Sequence, residues 1–211
     1  MANKKCELTE ELSPKFILDT IKEDAKPHDI VGKLILKGDE IARKIRTEKV
    51  YASFEDFKNA HKEGKSPLIE LEGKSKIEPE KNIVILRDCP MVPVLNQVMQ
   101  KLGEKLPEYF NKVVEEYIRL NPDDAAIIHP LCIAHQRIRE LIISNLKIGE
   151  THPLNFYQLS CRSTLRQGGT GKNVYSERGL KKTGMSREDV DPFLTPEDNA
   201  CIYYLFDTRE E

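Results

Sequence analysis

Cys201-Ile202-Tyr203-Tyr204-Leu205-Phe206, near the end of the chain, is the stretch that decides the fold. Six consecutive apolar or aromatic residues read as a strand, and a strand apolar on both faces belongs in the middle of a sheet. Upstream, Asn155 to Cys161 reads as a second strand and Ile83-Val84-Ile85-Leu86 as a buried third. Cys89-Pro90 stops that third strand, because proline cannot donate to a ladder. Just before it, Ile69, Leu71 and Gly73 alternate with Glu70, Glu72 and Lys74, the period of a half-exposed strand. Glu78-Pro79-Glu80 then turns the chain, so these two segments form a hairpin. The expected strands run over 68–77, 82–88, 154–162 and 200–206.

The remainder carries helical spacing. Ser13-Pro14 supplies an N-cap and a first-turn proline ahead of Phe16, Ile17 and Ile21. Ile30, Leu34, Ile41 and Ile45 fall on one face of a second segment, which Gly38-Asp39 divides into two shorter helices. Ser53 with Asp56 forms a capping-box pattern ahead of Phe54, Phe57 and Ala60. Val92 to Leu120 is helical with a break near Gly103 or Pro107. Asn121-Pro122 opens a further helix carrying Ile138, Leu141 and Ile142, which Pro130 kinks or restarts. A short helix starts near Ser176, and Ser186 with Asp189 gives another capping box.

The expected class is therefore α+β, with N-terminal and central helices packed on a small, largely antiparallel sheet. The polar stretch Lys62 to Pro67 divides the chain into an N-terminal helical segment, 1–66, and an α+β domain, 67–211. Thirty-three basic against 35 acidic residues leave a formal net charge of −2, which excludes bulk polybasic nucleic-acid binding. No window approaches 18 consecutive apolar residues, and no apolar run follows Lys4 and Lys5. The expectation is a cytoplasmic protein without a membrane span, in which five cysteines are reduced and not paired into a disulfide framework.

Those cysteines carry the functional reading. His129-Pro130-Leu131-Cys132-Ile133-Ala134-His135 places Cys132 three residues from each histidine, within one broad arc of a helix. Imidazole and thiolate are ligands for zinc and softer metals, and iron–sulfur clusters take cysteine followed by proline at some positions. Cys89 and Cys161 each stand at a strand end, where side chains project toward clefts. The expected metal ligands are Cys89, Cys132 and Cys161, completed by His129 or His135, holding an iron–sulfur cluster or zinc. The bland reading has the cysteines as small core hydrophobes and a histidine satisfied by a core hydrogen bond. Cys201 reads as core and Cys6 as part of a chain terminus.

A second locus runs from Cys161 to Lys172, with Gly168, Gly169 and Gly171 among Arg162, Arg166 and Lys172. Glycine amides and cationic side chains suit an anion, although Arg166 and Asn173 break the P-loop pattern. A plain strand-to-helix connector explains the same residues. No nucleophile elbow G-x-S-x-G occurs, and without tryptophan there is no evident platform for stacking bases. The sequence thus points to a metal- or iron–sulfur-binding protein with a redox or sensing role and a redox protein partner. The alternatives are a module binding a small phosphate or carboxylate through Arg162, Arg166 and Lys172, and an enzyme using Cys132 or Cys161 as an activated thiol.

Overall fold

The computed structural model describes residues 8–21, 25–45, 48–72, 75–78, 82–87, 89–102, 106–121, 127, 129–149, 151–163, 172–194 and 200–208. Its helices are α1 (Leu8–Glu11), α2 (Pro14–Thr20), α3 (Pro27–Ile45), α4 (Phe54–Lys62), α5 (Pro67–Glu72), α6 (Met91–Leu102), α7 (Leu106–Leu120), α8 (Pro130–Ser144), α9 (Glu177–Thr183) and α10 (Arg187–Val190). Its strands are β1 (Lys49–Tyr51), β2 (Ser75–Glu78), β3 (Ile83–Leu86), β4 (Leu146–Ile148), β5 (His152–Ser163), β6 (Lys172–Tyr175) and β7 (Ala200–Asp207). The protein is α+β. Its sheet runs β1-β4-β5-β7-β3-β2, with β6 added alongside β5, and only the β1–β4 pairing is parallel among those described.

β7 lies between β5 and β3, as its two apolar faces require. Tyr203 and Leu205 join the large core with α3, α6, α7 and α8, whereas Ile202 faces the other way with Ile83, Ile85, Leu159, Leu180 and Val190. A β-bulge in β5 matters for everything below. Gln158 pairs with Tyr203 but Ser160 pairs with Ile202, so Leu159 is an extra residue and Cys161 falls opposite Cys201. Without it, the period of two would put Gln158 and Cys161 on opposite faces. With it, Gln158, Cys161, Tyr203 and Cys201 share the face covered by α8.

Several local expectations change. Residues 67–72 form α5 rather than the start of a strand, and the hairpin partner of β3 is Ser75–Glu78. Four alternating residues cannot separate period two from a short helix; Pro67 suits a first turn, and Leu68 is the fully buried residue. α3 runs unbroken through Gly38, whose missing side chain lets α8 approach: a Cβ there would lie 2.9 Å from the Ala134 carbonyl and from the Arg137 Cβ. Asp39 accepts from Arg137 Nε at 2.6 Å beside that contact. α8 begins at Pro130, with His129 as its N-cap, so this proline starts the helix and does not kink it. Pro122 and the break at Gly103 lie outside the described residues. Residues on both sides of position 66 share one core, Ile30, Leu34 and Ile41 packing with Leu131, Ile138 and Ile142.

Candidate thiol and histidine site

The site is built from the start of α8 inward. His129 holds extended backbone angles, and its Nδ1 accepts the Cys132 N–H at 3.2 Å, satisfying one of the helix's unpaired amides. That bond requires an unprotonated Nδ1. It also brings the Cys132 Sγ to 3.3 Å from Nδ1 and 3.4 Å from Nε2 of the same ring. From Cys132, the spacing of three and seven residues puts His135 and Arg139 along the buried side of the helix.

The sheet supplies the opposite wall. The Cys161 thiol is near enough to those of Cys132 and Cys201 for both to raise its pKa, and the three come from α8, β5 and β7. Cys89, between β3 and α6, is near enough to be affected by the charges of Cys132, Cys201 and Arg139. Four cysteines spread over more than a hundred residues therefore occupy one neighbourhood. Arg139 is 1% exposed, its guanidinium 4.6 Å from the Tyr203 ring centroid and its Nη1 3.8 Å from the Cys201 Sγ. Gln158 Nε2 donates to the same sulfur at 3.1 Å.

Electrostatics follow from this burial. The neighbouring Cys132 and Cys201 thiols, with burial behind them, raise the Cys161 thiol well above its ordinary range. Burial, helped by the Cys132 charge, raises Cys89; Arg139 opposes this more weakly. Both thiols are protonated at neutral pH and are weak nucleophiles in that form. Burial, with the Arg139 and His129 charges, holds His135 well below the usual imidazole range. His135 is neutral at pH 7, and its buried Nε2 has no hydrogen-bond partner among the described residues.

All five expected metal ligands are described. Cys132 lies beside His129 and near Cys161, with Cys89 within electrostatic reach, while the charges acting on His135 are those of Arg139 and His129. Among the described residues, no group of three or more His, Cys, Asp or Glu side chains could hold a metal ion as it stands. The Gly-rich locus is different: Arg162 donates to Asn173 Oδ1 at 2.6 Å within the β5–β6 pair, and Lys172 lies in β6 opposite Ser163. Arg166 and the glycines lie outside the described residues.

Sequence reasoning missed Arg139 and Gln158, while Cys201 lies in the core as read, packed with Leu86, Cys161 and Val174. An arginine at Cys132 plus seven, next to Ile138 and before Ile142, was a readable sign of a buried charge on that helix face. The bulge that brings in Cys201 left no such sign. Comparison with family models, curated proteins and solved structures finds no match for this chain. Among the described residues, no helix is long and apolar enough to cross a membrane.

Proposed function

We propose that the protein binds zinc or an iron–sulfur cluster at the thiol and histidine locus, in a redox or sensing role. One observation supports this reading: Cys89, Cys132, Cys161 and Cys201, from four separate parts of the chain, lie within electrostatic reach of one another. Cysteine-rich, largely dry surroundings suit soft metals once the thiols are deprotonated. Cys132 and Cys161 are the central ligands, Cys89 and Cys201 the next, and His129 the adjacent nitrogen donor.

In the metal-free state the Cys89 and Cys161 thiols are protonated. Binding metal requires them to release those protons and turn toward the ion, so affinity rises with pH. The fully buried Arg139 offers a positive charge beside Cys201 and Cys89, which offsets part of the accumulated thiolate charge.

The test is metal and sulfide analysis with an absorption spectrum of anaerobically purified full chain, repeated after reconstitution with zinc and with ferrous iron and sulfide. One zinc per chain, or visible charge-transfer absorption with iron and sulfide, is expected. Cys132→Ser and Cys161→Ser should each abolish it, and Cys6→Ser should not. No retained metal under any condition, or full retention in both variants, overturns the proposal.

A further inference from the structure

A cavity of about 400 Å³ opens beside the thiol locus, between α8, β5 and α9. Its position follows from the topology. β4 pairs with β5 only as far as Pro153, and β6 pairs with it only from Ser160 onward. Between these, β5 is bordered by β7 on one side alone among the described pairings. On the other side the Phe156 N–H is taken by the Asn155 side chain at 2.9 Å. The Gln158 carbonyl is turned to Gly179, where a Cβ would come within 2.0 Å of it. The glycine lets α9 lie against this edge, closing one side of the cavity and leaving the rest open.

The lining has a definite chemistry. Gln136 and Gln158 are 4% and 7% exposed, so two carboxamides more than nine-tenths buried form the inner wall. Arg178 and Lys182, one turn apart on α9, form the outer wall and are exposed. The lining carries two cationic side chains, Arg178 and Lys182, against one carboxylate, Glu140, which also receives Arg137 Nη1 at 3.2 Å. The volume lies at the small end of ordinary small-molecule sites, which suits a compact ligand and not a peptide.

We infer that this cavity binds a small organic carboxylate, its charged group between Arg178 and Lys182 and its polar body against Gln136 and Gln158. Gln158 also donates to Cys201, and Gln136 accepts from Arg139 at 3.5 Å, so the bound anion abuts the thiol locus. The inference stands without a metal and assigns a pair of cations different from Arg162, Arg166 and Lys172.

The experiment uses the full chain, reduced and chelator-treated, in thermal melts titrated at constant ionic strength with citrate, with 2-oxoglutarate and with inorganic phosphate. A saturable rise in melting temperature with one of the two carboxylates is expected. In the double variant Arg178→Ala, Lys182→Ala the apparent dissociation constant should weaken at least tenfold. A control removing two exposed lysines that do not line the cavity, Lys112→Ala with Lys181→Ala, should bind as before. Three results overturn the inference: no saturable response to either carboxylate, a response to phosphate alone, or a response equal in both double variants. Metal content is measured separately, so failure here is distinct from failure of the metal site.

Discussion

Cys161 and Cys201 stand directly opposite one another across β5 and β7 because Leu159 is an extra residue in β5. Directly opposed residues in antiparallel strands have Cα atoms about 4.5–5.5 Å apart, within the span a disulfide can bridge. Mild oxidation of the metal-free protein with peroxide should therefore consume two thiols and yield a Cys161–Cys201 disulfide and water. Peptide mapping under non-reducing conditions checks this. Recovery of a Cys132–Cys161 link instead would show that the helix thiol, and not the cross-strand one, is the better placed partner.

Stability should peak between about pH 6.5 and 8.5 and fall on both sides. His135 has its folded pKa lowered, so below its unfolded value the unfolded chain binds more protons and stability drops with acid. Cys89 and Cys161 have folded pKa values raised, so their contribution is complete below about 8.5 and is lost as pH climbs above it. Urea titrations of the reduced, metal-free chain across this range measure the profile. His135→Gln should flatten the acid limb, and Cys161→Ala should flatten part of the alkaline one.

His129 has two separable roles, cap and donor. His129→Ala should cost about 1 kcal/mol through loss of the N-cap bond to the Cys132 N–H. His129→Ser restores a capping oxygen and should recover most of that stability in denaturant melts. If His129 is also a metal donor, His129→Ser will remain weakened in metal retention while its stability returns. Equal metal binding in wild type and both variants would leave His129 as a cap alone.

Gly179 and Gly38 are contact points whose replacement by alanine has different expected outcomes. At Gly179 the new Cβ would overlap the Gln158 carbonyl, a backbone atom, so α9 must move away from β5. A loss of about 1–3 kcal/mol is expected, with loss of any carboxylate response. At Gly38 the Cβ meets the Ala134 carbonyl at 2.9 Å, so a similar loss at the α3–α8 contact is expected with the cavity unaffected. Calorimetry with and without citrate separates the two.

Much of the fold was legible because it rests on local physics. The unbroken apolar run of 201–206 demanded a central strand, and β7 is one. Ser13, Ser53, Ser176 and Ser186 cap the helices that follow them, since a hydroxyl and three residues of spacing are all that a cap requires. The unusual grouping of His129, Cys132 and His135 was also visible, as helix spacing is a property of sequence. What the chain could not disclose was which distant elements meet. Gly38 reads as a breaker until α8 is seen lying against it, and Cys201, core as it reads, gives no sign that Cys161 stands opposite. Leu159 is an ordinary strand residue in sequence, yet by bulging it reverses the face that Cys161 presents and sets it beside Gln158, Tyr203 and Arg139. Pairing register and strand irregularity are fixed by the packing of both faces at once, so the convergence of four cysteines was decided only by the tertiary structure.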